Sequence, residues 1–145
     1  MITLRQGIFL EDIDALLPWG VDRAGAWKVK GATHYNLKDD DTRIKWEANI
    51  FGGLRCGILA YLPGQNKLSE VHIWRLLDQS RYPREPWYAY MQFFDHFLTH
   101  IGPPSMKPSA GSHYAPFLTW RADDCTLALS TGERFGDFTS LVIKK

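Results

Sequence analysis

His96 and His100 stand four residues apart in His-Phe-Leu-Thr-His, a spacing that puts two imidazoles on nearly the same face of an α-helix, where they could share a metal ion. A zinc-protease helix carries glutamate directly after the first histidine, and here that place is taken by Phe97. A catalytic zinc also needs a third protein ligand, which would have to be His34, His72, His113 or a carboxylate. The expectation is two solvated histidines and no metal. Cys56 and Cys125 lie in apolar, strand-like surroundings, Arg-Cys-Gly-Ile and Asp-Cys-Thr-Leu, and read as buried thiols rather than nucleophiles. The two acids before Cys125 would raise its pKa further. Gly52-Gly53 and the pair Gly132 and Gly136 match no phosphate-binding fingerprint, and no Gly-x-Ser-x-Gly elbow occurs. No catalytic set emerges, and no cofactor is expected.

Residue types that serve recognition are more plentiful. Asp39, Asp40 and Asp41 form the densest charge run, and Asp123 with Asp124 a second acidic pair; each is either a solvated turn or an acidic surface that steers a basic partner. The run lacks the alternate ligands and central glycine of an EF-hand loop. Six Trp, six Tyr and eight Phe supply a large aromatic core, to which Trp46, Trp74, Phe94 and Phe97 are assigned. Trp19, Tyr82, Trp87, Tyr88 and Tyr114 fall at element ends or in loops, where an amphipathic ring serves an interface as readily as a core. Tyr82 with Arg84 joins rigid apolar area to a forked cation. The candidate partner-binding residues are therefore Asp39, Asp40, Asp41, Tyr82, Arg84, Tyr114, Asp123 and Asp124.

These groups must be positioned by elements that the apolar pattern reveals. The stretch Pro86–Gly102 places Trp87, Tyr90, Met91, Phe94, Phe97, Leu98 and Ile101 at three- and four-residue spacings, with proline at its start and Gly102-Pro103-Pro104 at its end. That predicts a long helix with one aromatic face. Ile44, Trp46, Ala48 and Ile50 alternate with Arg43, Lys45, Glu47 and Asn49, the signature of a strand with one buried side. Leu54–Leu62 and Lys67–Trp74 follow as strands across glycine and proline turns, and three consecutive antiparallel strands result. Phe117–Trp120, Thr126–Leu129 and Thr139–Ile143 complete the strand set. Ile13, Leu16 and Leu17 behind Glu11 and Asp12 predict a short N-terminal helix ending before Pro18. Val21–Lys38 reads as one strand or an irregular connection, and Pro103–Pro116 as a long loop.

The composition bounds the rest. At 145 residues, 45% hydrophobic and 23% charged, the chain fits one α+β domain, 1–145. A net charge of +1 gives no reason to expect nucleic acid or a membrane surface as partner. No run of 18 apolar residues and no secretory leader is visible, so a cytoplasmic location is expected. The fold class expected is a mainly antiparallel sheet of about five or six strands, with the long helix on one face and the short N-terminal helix beside it.

Phe51-Gly52-Gly53, the hairpin ending Lys67-Leu68-Ser69-Glu70-Val71, the helix end Ile101-Gly102-Pro103-Pro104, Trp120 before an Asp-Asp turn and the terminal Leu141-Val142-Ile143 strand together give the chain an organisation that resembles small bacterial immunity proteins. The resemblance implies a cytoplasmic protein that neutralises a cognate toxin by stoichiometric binding. It carries no functional residue over. The alternative is a small-molecule-binding protein or enzyme with a cleft near the proline-rich loop, His113, Tyr114 and the helix histidines.

Overall fold

Period-two burial in Arg43–Ile50 is complete: Ile44, Trp46, Ala48 and Ile50 are buried, while the residues between them stay accessible. The computed structural model, which describes residues 2–77, 85–107, 115–133 and 137–145, builds this strand into a large sheet. In chain order the elements are β1 (Gly7–Leu10), β2 (Ala15–Pro18), α1 (Arg23–Trp27), β3 (Thr33–His34), β4 (Arg43–Ile50), β5 (Leu54–Tyr61), β6 (Glu70–Arg75), α2 (Glu85–His100), β7 (Ser105–Lys107), β8 (Phe117–Ala122), β9 (Cys125–Glu133) and β10 (Asp137–Lys144). Eight strands pair in the order β3-β4-β5-β6-β10-β9-β8-β7, and β1 pairs with β2 alone. Every pairing is antiparallel. The fold is thus α+β with one main helix, and the sheet is larger than the five or six strands expected. Two short edge strands account for the excess: β3 lies in the stretch read as a strand or irregular connection, and β7 in the stretch read as a loop.

One side of the sheet is the core. Ile58, Ala60, Val71, Ile73, Leu118, Trp120, Leu127, Leu129, Leu141 and Ile143 join the buried residues of β4 in one cluster. Phe97 of α2 seals it, edge-on to Phe51 at 5.5 Å and to Trp120 at 5.2 Å, and stacked on Phe93 at 5.8 Å. Burying each such ring contributes about 1.5–3 kcal/mol. The helix is rotated from the face expected. Ala89, Tyr90, Phe93 and Phe97 are buried, whereas Trp87, Met91 and Leu98 are exposed and Phe94 is half-buried. Phe93 and Phe94 sit about 100° apart around the axis, so only one can point squarely at the sheet, and the rest of the buried side chains choose Phe93.

The N-terminal helix is replaced by a hairpin. Ile8, Leu10 and Leu17 point into the core from β1 and β2, joined through a 3-10 turn at Glu11–Ile13 that ends on Asp14 with φ of 50°. Glu11 and Asp12 do not cap a helix. The Glu11 carboxylate accepts from the amides of Gly52 at 3.0 Å and Gly53 at 2.9 Å, and Asp12 accepts from Asn49 at 2.8 Å and pairs with Arg55 at 2.7 Å. The two acids thereby fasten the hairpin to the β4–β5 turn, whose three residues all have positive φ. At Gly7 a Cβ would lie 2.1 Å from the Leu17 carbonyl oxygen, so only glycine fits there. The β8–β9 hairpin turns on Asp123 and Asp124, both at positive φ, the mirror-image geometry that suits strand twist.

Candidate functional site

The side of the sheet opposite α2 carries the alternate residues of every strand. On β4 these are Arg43, Lys45, Glu47 and Asn49; on β5, Arg55, Gly57, Leu59 and Tyr61; on β6, Glu70, His72 and Trp74. Register places Gly57 directly opposite Trp74. A Cβ built on Gly57 would stand 2.2 Å from the indole, so the ring occupies the space that any other residue at 57 would fill. A small residue on one strand is the seat for a large one on the next. Tyr35, just beyond β3, meets the Trp74 ring edge-on at 6.0 Å, and the Arg43 guanidinium lies 4.6 Å from the centre of the Tyr61 ring. This is the geometry of a cation–π contact.

Together these side chains frame an open depression of about 380 Å³, with Leu59, His72 and Ser140 among its other lining residues. Its size is that of a small ligand site or a pocket for a partner's anchor side chain. Tyr61 is 51% and Tyr35 37% exposed, unlike the fully buried Trp46 one strand away. Trp74, assigned to the core from its apolar character, stands instead on this open side and is half-buried. The rim is charge-balanced. Arg43 pairs with Asp40 at 2.7 Å, Lys45 with Glu47 at 3.4 Å, Lys144 with Glu70 at 3.6 Å, and His72 lies 3.9 Å from the same Glu70.

The acidic candidates are distributed by this architecture. Asp40 accepts from the Thr42 amide at 3.0 Å and from the Thr42 hydroxyl, and bonds to Arg43; these contacts, the Thr42 hydroxyl foremost, hold its carboxyl down at about 2. Asp41 bonds to His34 Nε2 at 3.0 Å, and its carbonyl accepts from the Trp27 indole at 2.9 Å. Asp39 is exposed and makes no hydrogen bond or ion pair among the described residues. Asp123 accepts from the Leu4 amide at 2.8 Å, tying down the N-terminal segment, and Asp124 is an exposed turn residue. The two acidic groups lie beside β4 and β8, five strands apart in the sheet order. Tyr82, Arg84, His113 and Tyr114 lie outside the described residues.

The groups with reactive potential are engaged in the fold. His96 is half-buried rather than solvated, and its Nε2 donates to the Phe51 carbonyl, which defines the tautomer. Desolvation is the main influence on it and lowers its pKa, against the opposing bond to Phe51. His100 stacks obliquely on it at 4.4 Å. Burial pushes the Cys56 thiol up to about 11 and raises that of Cys125, so both are protonated at neutral pH. Among the described residues no three His, Cys, Asp or Glu side chains converge as metal ligands. A second cavity, about 770 Å³, opens between the N-terminal segment and the outer side of the β1–β2 hairpin, where Phe9 and Leu16 are exposed beside Arg5 and Asp123. Among the described residues no helix is long and apolar enough to cross a membrane. Comparison of the chain with protein-family models, curated proteins and solved structures finds no match.

Two sequence signals could have found the open-face site. Val71 and Ile73 alternate with His72 and Trp74, which already puts Trp74 on the side away from the core. Gly57, alone within an otherwise apolar strand, marks a close approach by a neighbouring group.

Proposed function

We propose that the protein is a protein-binding module whose contact surface is the open side of the eight-stranded sheet, acting as an immunity protein that neutralises a cognate bacterial toxin by stoichiometric binding. The observation that carries the reading is the gathering of Tyr35, Tyr61 and Trp74 with Arg43 around one open depression. Tyr, Trp and Arg are the residue types that concentrate binding energy at protein interfaces, and the paired strands hold their backbone in place before docking. The toxin as partner rests on the overall resemblance to immunity proteins. Asp39, exposed and without an ion pair among the described residues, is the foremost of the proposed steering acids, with Asp40, Asp41, Asp123 and Asp124, and Tyr82, Arg84 and Tyr114 remain proposed anchors.

The test is affinity capture of the tagged protein from lysate of the cells that encode it, at low and moderate salt, with mass-spectrometric identification of what is retained. The expected result is one stoichiometric partner that is toxic when expressed alone and harmless when this chain is co-expressed. Failure to retain any protein while the toxin is being made contradicts the reading.

A further inference from the structure

We infer that the depression framed by Tyr35, Tyr61, Trp74 and Arg43 receives an uncharged aromatic side chain of the partner, a tyrosine or tryptophan carried on an exposed loop. The inference rests on the protein-binding reading and names the chemistry of its central contact. The lining offers Tyr35, Tyr61 and Trp74 for ring contact and Leu59 as aliphatic surface, with His72, Thr139 and Ser140 as polar groups. Aromatic rings meet edge-to-face or offset, and the Tyr35–Trp74 pair already has the edge geometry, beside which a third ring can pack.

Charge decides against the other occupants. Arg43 is matched by Asp40, Lys45 by Glu47 and Lys144 by Glu70, and Arg55 farther along the sheet is matched by Asp12. A charged anchor would find each nearby opposite charge already paired, which leaves it little net attraction. Single-stranded nucleic acid needs a track of free cations along its phosphates, and around this depression the cations of β4, β5 and β10 are each paired with an acid. An uncharged ring has no such need, and the guanidinium over Tyr61 leaves N–H groups to bond a phenol oxygen or a backbone carbonyl at the rim.

The experiment is an amide-NMR titration of the full chain with three probes that share one ring and differ in charge: indoleacetamide, indoleacetate and tryptamine. The expected result is saturable binding of indoleacetamide at least as tight as either charged probe, unaffected by added salt, with the largest shifts at Tyr35, Leu59, Tyr61 and Trp74. Trp74→Ala and the more exposed Tyr61→Ala should each weaken it at least tenfold, the second variant serving where the first fails to fold. A tenfold preference for indoleacetate or tryptamine, displacement of the probe by single-stranded oligothymidylate, or shifts centred on Phe9 and Leu16 would overturn the inference. If the probe does not bind while a captured partner does, and Trp74→Ala leaves that partner's affinity unchanged, the inference falls and the binding reading stands. If the probe binds and no protein partner exists, the site stands as a ligand pocket and the binding reading falls.

Discussion

At the scale of single residues, three of the acidic side chains offered for recognition, Asp40, Asp41 and Asp123, also make contacts that fasten the fold. Asp40 stabilises the approach to β4 through Thr42 and Arg43, and its carboxyl is depressed to about 2. A carboxyl lowered on folding contributes stability that is present above its unfolded value near 3.8 and is lost as pH falls through about 2. Asp40→Ala should therefore lower the denaturation midpoint at pH ~7, and the gap from the parent should close on acidification towards pH ~2. A gap that persists there would place the effect elsewhere than in the carboxylate. His96 has the corresponding base behaviour. Its pKa is lowered from 6.5, so the unfolded chain takes up the proton first, and stability falls as pH drops from 6.5 towards the folded value. Replacing His96 with Gln, which keeps a donor for the Phe51 carbonyl, should flatten that part of the stability–pH curve; an unchanged slope would remove His96 as its source. Gly57→Ala offers a sharper test of packing. Alanine is the better strand former, yet its Cβ would meet the Trp74 ring, so a loss of about 1–3 kcal/mol by denaturant unfolding is expected. A gain in stability would show that the indole is free to move aside.

At the scale of elements, the hairpin β1–β2 shows why local pattern alone misled. Ile13, Leu16 and Leu17 do fit helical spacing, but the buried set is Ile8, Leu10 and Leu17, brought together only when the chain reverses at Asp14. Glu11 and Asp12, which resemble helix-starting acids, find their partners about forty positions away at the β4–β5 turn, a separation invisible to any local window. Glu11→Ala should accelerate amide exchange at Gly52 and Gly53 and cost roughly 1–2 kcal/mol, the order of two exposed hydrogen bonds to one carboxylate. Exchange rates like those of the parent would mean that the latch is not needed for that turn. Strands β4 and β6 were legible because one side of each is buried against the core while the other meets water, which writes an alternation into the sequence, and β5 was legible as an apolar run between turns. Helix α2 was legible in extent but not in rotation, since apolar residues surround more than half of it.

At the scale of the whole molecule, the eight-stranded sheet divides the protein into a packed side and an open one. Burial on the packed side could be read from the sequence; on the open side the alternation around Trp74 and the lone Gly57 gave two local signals, but the gathering of Tyr35, Tyr61, Trp74 and Arg43 depends on the pairing of β3 through β6 and on Gly57 lying opposite Trp74. The central claim is that this open side binds a protein partner at one-to-one stoichiometry. Calorimetric titration of the identified partner into the parent chain, Tyr61→Ala and Trp74→Ala, with unfolding curves for each, tests it most directly. The account predicts one site per chain and a weakening of about 2 kcal/mol, roughly thirtyfold, in each variant that keeps its fold. Full-strength binding by both folded variants would contradict it.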